Sequence, residues 1–165
     1  MTTNSVRFSR TLYDKHDPIT KQVTKEFFRQ HDYTIHDDGE HYADFDYQIE
    51  KDKQILSVEV EQKTGWNTRF FPFKTMDVAG RKSKSKAHYF VQLNNNADSL
   101  HICPMSIVHR SETYRKDTKY SKDELFYKVN LNEVDTYIMF NSKWTYLGSL
   151  VQGNTNVPNE PLYPL

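Results

Sequence analysis

From Ser57 to Lys63 the chain reads Ser-Val-Glu-Val-Glu-Gln-Lys, and this alternation constrains the fold more than any other stretch. On an extended strand successive side chains point to opposite faces. Glu59, Glu61 and Lys63 therefore share one face, while Val58 and Val60 share the other. A sheet built around this strand has core on one side and charge on the other. Burying several charged groups in a row is costly unless something pairs with them, and a divalent cation suits carboxylates that converge beside a lysine.

The preceding stretch, Ala43 to Ile49, alternates in the same way, with Asp44, Asp46 and Gln48 on one face and Phe45, Tyr47 and Ile49 on the other. Glu50-Lys51-Asp52-Lys53 can turn the chain between the two runs, which predicts an antiparallel hairpin that brings Asp46 toward Glu61. An aspartate opening one strand and Glu-x-Lys closing the next resembles the PD-(D/E)xK nuclease superfamily, which includes restriction endonucleases, Holliday junction resolvases and phage nucleases. The matching residues are Asp46, Glu61 and Lys63, with Phe45 in the place of the proline and with Asp44 and Glu59 as alternative acids.

The resemblance spans roughly residues 17 to 103. It implies an α/β domain with a restriction-endonuclease-like core, a central mixed β-sheet flanked by helices. It also implies a metal-dependent DNA endonuclease that uses Mg²⁺ or Mn²⁺, and a glutamate from the preceding helix, here Glu26, as a further metal ligand. In that mechanism Asp46 and Glu61 hold the metal, with the backbone carbonyl of Gln62 as another ligand, and Lys63 orients the attacking water or stabilises transition-state charge. The alternative is a non-catalytic DNA- or protein-binding module of the same fold, in which Glu59, Glu61 and Lys63 form a surface ion-pair ladder.

Charge distribution agrees with a nucleic-acid partner although the net charge is zero. Residues 32 to 61 hold ten acids against two lysines, a net of −8, and residues 63 to 86 hold seven cations against Asp77, a net of +6. An acidic cluster to collect metal and a basic segment to hold phosphates are what DNA cleavage needs. The DNA-contacting candidates are Arg69 and Lys74, interleaved with Phe70, Phe71 and Phe73, and the run Arg81, Lys82, Lys84 and Lys86 in a loop opened by Gly80. The structural reading of the same pattern is that the two segments neutralise each other.

At 165 residues and 36% hydrophobic content the chain is expected to form one domain over residues 1–151, with an irregular tail over 152–165. The single cysteine, Cys103, excludes an intramolecular disulfide and reads as a small buried hydrophobe in a reducing compartment. No leader-like h-region opens the sequence, and no run approaches the ~20 apolar residues of a membrane span, so a cytoplasmic protein with no membrane partner is expected. A homodimer stays open. The seven histidines show no metal-binding spacing, and His41 lies near the acidic segment.

Other elements follow from local signals. Asp17 and Pro18 read as the cap and first position of a helix carrying Ile19, Val23, Phe27 and Phe28. Tyr33 to Ile35 reads as a short strand, ended by Asp37-Asp38-Gly39. His88–Leu93 and Leu100–Cys103 read as a strand pair around a polar turn. Ser106 to Arg110 reads as a helical turn, Ser121 to Glu124 as a cap, and Val134–Phe140 with Trp144–Leu147 as edge strands or a short helix.

Overall fold

The computed structural model describes the backbone of residues 10–37, 44–150 and 160–165, and the side chains of 18–37, 44–148 and 160–165. Helix α1 (Arg10–Gln30) leads into β1 (Thr34–His36), β2 (Tyr47–Lys51) and β3 (Gln54–Lys63). Then come β4 (Thr75–Ala79), a 3-10 helix (Gly80–Lys84), β5 (Tyr89–Asn94), β6 (Ser99–Pro104) and α2 (Met105–Arg110). β7 (Glu112–Lys116), β8 (Glu124–Asn130), β9 (Asp135–Phe140) and β10 (Lys143–Tyr146) complete the strands.

The main sheet has seven strands in the order β1-β2-β3-β5-β6-β9-β10, and a second sheet has three in the order β4-β8-β7. The main sheet is mixed: β3 and β5 run parallel, and its other neighbours are antiparallel. A parallel pair cannot be joined by a tight turn. Here the crossover from β3 to β5 carries β4 and the 3-10 helix, which places both over the charged face of β3.

Each sheet face has its own core. On one face Phe27 and Phe28 of α1, both fully buried, pack with Tyr47, Val58, Val60, Val91, Leu93, Leu100 and Ile102. On the other, Phe90 and Cys103 meet Met76 and Val78 of β4, Tyr127 and Val129 of β8, and Met105 and Val108 of α2. Fully burying a ring such as Phe27 is worth about 1.5–3 kcal/mol, so α1 is fixed chiefly by its apolar stripe. Helices on both faces were the expectation; instead, among the described residues, a long helix covers one face and a small antiparallel sheet with the short α2 covers the other.

Several local expectations need correction. α1 begins at Arg10 and runs through Pro18, because a cap preference is worth only about 1 kcal/mol and does not by itself stop a helix. Ser121 to Glu124 leads into β8 and caps no helix. The basic run is a 3-10 helix rather than a loop, and an added Cβ on Gly80 would lie 2.9 Å from the Leu125 carbonyl oxygen, so glycine lets this turn approach β8. Residues 160–165, the described end of the expected tail, are docked: Leu162 and Tyr163 donate their N–H groups to the Asp135 carboxylate at 2.9 and 2.8 Å. Asp38, Gly39 and His41 lie outside the described residues.

Candidate active site

The β2–β3 hairpin sets the geometry. Asp52 and Lys53 both have positive φ, 52° and 67°, the left-handed backbone of a two-residue turn whose twist matches its strands. The turn pairs Lys51 with Gln54 and Tyr47 with Val58, where the ladder stops, and Asp46 is a bend immediately before it. Asp46 donates its N–H to the Val58 carbonyl at 2.8 Å, and its Oδ2 accepts the Val60 N–H at 2.8 Å. The neighbouring acid that acts on Asp46 is Glu59, one pleat before Glu61, the acid to which the sequence pattern pointed.

Charges on this face act on one another. Burial, and after it the neighbouring charge of Glu59, pushes the Asp46 carboxyl up to about 6, against the pull of the Val60 N–H, Lys82 and Lys21. Lys82 Nζ lies 2.5 Å from Glu59 Oε2, and Ser85 Oγ donates to Glu59 Oε1 at 3.4 Å. Burial opposes the charge on Lys82, but Glu61, Glu59 and Asp46 outweigh it, and its pKa is raised. Lys82 is thus turned inward to the acids.

Glu61 is held from the next strand. Gln92, fully buried on β5, donates Nε2 to Glu61 Oε1 at 2.9 Å and to the Asp77 carbonyl at 3.3 Å. Its Oε1 is buried without a partner among the described residues. The strand registers extend this row from Glu61 through Gln92 to His101 and Thr136, where His101 Nδ1 lies 2.8 Å from Thr136 Oγ1. Burial, with Lys63 nearby, lowers the His101 imidazole to about 3, so it stays neutral. It stacks on the buried Trp66 with ring centres 4.7 Å apart.

The remaining candidates are dispersed. Lys63 Nζ lies 5.3 Å from the Phe73 ring centre. The Gln62 side chain, on the valine face, donates Nε2 to the Asn95 carbonyl at 3.1 Å. Glu26 is exposed on α1 and pairs with Arg29 and Gln22, with no contact to Asp46 or Glu61 among the described residues, because α1 covers the opposite face of the sheet. Asp44 is half-buried and lies 3.9 Å from the exposed Lys86. Lys74, Arg81 and Lys84 are exposed, and Arg69 bonds the Met139 carbonyl. Burial pushes the Cys103 thiol up to about 12, which rules out a thiolate nucleophile at neutral pH.

The acids supply the hard oxygen donors that Mg²⁺ or Mn²⁺ prefers. Among the described residues, however, no three of His, Cys, Asp and Glu converge as a ready-made metal site. A cavity of about 550 Å³ lined by His31, Tyr137, Trp144, Tyr146, Pro161 and Leu165 contains none of these acids. Sequence reasoning missed Gln92 and His101, whose relevance appears only once the strand register is known, and it did not anticipate the ion pair of Lys82 with Glu59. Among the described residues no helix is long and apolar enough to cross a membrane. Compared with protein-family models, with curated proteins and with solved structures, this chain matches none of them.

Proposed function

We propose that this chain is a metal-dependent DNA endonuclease with a restriction-endonuclease-like core, acting in the cytoplasm. The observation that carries the reading is the shared charged face: Asp46 leads into β2, and Glu59 and Glu61 lie on the following strand beside the parallel β5. The raised pKa of Asp46 supports it, since carboxylates that repel one another gain from a divalent counter-charge.

Asp46 and Glu61, with Glu59 beside Asp46, are the residues that would hold Mg²⁺ or Mn²⁺. A bound ion supplies Lewis acidity and a lowered water pKa. The chain's own groups do the rest. Gln92 fixes one oxygen of Glu61, and the other has no hydrogen-bond partner among the described residues. A lysine ammonium on this face, Lys63 by resemblance or Lys82 by position, stabilises charge on the phosphate. Water attacks phosphorus as the bond to the leaving sugar oxygen breaks; the water's proton passes to solvent and the leaving oxygen takes one from solvent. Arg81, Lys84 and Lys86 line the approach as phosphate contacts.

A second reading, a non-catalytic DNA- or protein-binding module, is favoured by one observation: Glu59 is already neutralised by Lys82. Incubating the pure protein with plasmid, linear, single-stranded and branched DNA, and with RNA, in Mg²⁺, Mn²⁺ or chelator separates the two. Cleavage confined to the metal-containing lanes supports the nuclease. Binding without cleavage of any substrate supports the module.

A further inference from the structure

Lys82, and not Lys63, forms the ion pair on the acidic face. Lys63, the Glu-x-Lys lysine, stacks over Phe73 and makes no ion pair among the described residues. Lys82, from the basic run, reaches Glu59 at 2.5 Å with both side chains shielded, 16% and 13% exposed, and lies within electrostatic range of Glu61 and Asp46. Its position is built, not incidental. Gly80 lets the 3-10 helix seat against β8, His109 Nε2 lies 3.1 Å from the Lys82 carbonyl oxygen, and Ser85 Oγ and the Lys86 N–H both donate to the Asp44 carbonyl. Beside it, the fully buried Gln92 reaches Glu61 with Nε2 while its Oε1 has no partner among the described residues, so the polar face is left incompletely satisfied.

We propose that Lys82 is the functional lysine of this site: its ammonium occupies the acidic face in the metal-free chain and leaves for the substrate phosphate when those carboxylates bind a divalent cation. The exchange at the carboxylates stands independently of catalysis, while the phosphate role rests on the nuclease reading.

The test uses the full chain. Mn²⁺ affinity is read by electron paramagnetic resonance for the parent, Lys82→Met, Lys63→Met and the surface control Lys122→Met. Removing the competing ammonium in Lys82→Met is expected to tighten Mn²⁺ binding by about tenfold or more, and the other two variants to change it by less than about threefold. In the unaltered chain, acetylation of each lysine is followed by mass spectrometry with and without Mn²⁺. Lys82 is expected to react about fivefold faster or more once Mn²⁺ is bound. This second measurement decides the matter if Lys82→Met does not fold. Unchanged Lys82 labelling with Mn²⁺ bound, or Mn²⁺ affinity unaltered in a folded Lys82→Met, overturns the exchange, and so does a parent that binds no Mn²⁺. A parent that binds Mn²⁺ and releases Lys82 but cleaves nothing supports the exchange and overturns the phosphate role and the nuclease reading.

Discussion

Asp46→Asn should make the protein more stable at neutral pH. Asparagine keeps an oxygen for the Val60 N–H and removes a charge that burial and Glu59 both oppose. In the unfolded chain the carboxyl ionises at its ordinary 3.8, whereas in the folded chain it holds its proton to about 6. Between those values the folded state binds more protons, so stability falls as pH rises through the window, and the penalty is complete above it. The gap corresponds to a ceiling of about 3 kcal/mol, which water reaching the half-buried carboxylate reduces to about 1–2 kcal/mol. That is a rise in melting temperature of about 2–8 °C for a chain of this size. Urea unfolding of parent and variant from pH 4 to 8, without divalent metal, measures it. The gain should be full at pH 8 and shrink as the pH falls from 6 toward 4. A gain as large at pH 4 as at pH 8, or a loss at pH 8, would refute the reasoning.

Two further outcomes concern other parts of the structure. His101 behaves in the opposite sense: its folded pKa is depressed to about 3, so the unfolded chain takes up a proton below about 6.5 that the folded chain refuses, at a cost of about 2 kcal/mol by pH 5. His101→Phe should remove that component of the pH slope between 7 and 5 in urea titrations, whatever its effect on absolute stability; an unchanged slope would place the titration elsewhere. Replacing Arg81 and Lys84 together by glutamine should weaken DNA binding in Ca²⁺ across sequences and lower the salt slope by about two units. An unchanged slope would mean that this turn is a solvated surface.

The hairpin was legible because two period-two runs flank a charged turn, and the valine face of β3 is buried as that pattern requires. The register was not. A two-residue turn at Asp52 and Lys53 pairs Tyr47 with Val58, which brings Asp46 under the influence of Glu59, and shifting the turn by one position changes every partner without altering the alternation that the sequence displays. Lys82 was opaque for a related reason: within Arg-Lys-Ser-Lys-Ser-Lys every cation looks alike, and only a 3-10 turn seated by Gly80 points one of them inward. β8 did carry a signal, since Tyr127 and Val129 are buried while Lys128 and Asn130 are exposed. The Glu61–Gln92–His101–Thr136 row joins four strands, so no local window could display it.

Plasmid nicking as a function of Mg²⁺ concentration, run side by side on the parent, Asp46→Asn and Glu61→Gln, tests the acidic face most directly. The parent should nick with a saturable dependence on Mg²⁺. Both variants should remain folded, bind DNA in Ca²⁺, and lose about a hundredfold or more of the nicking rate, the loss expected when a group acting on the transition state is removed. A parent that leaves the plasmid intact at every Mg²⁺ concentration, or a Glu61→Gln variant that nicks at the parent rate, would contradict a metal-dependent site on this face.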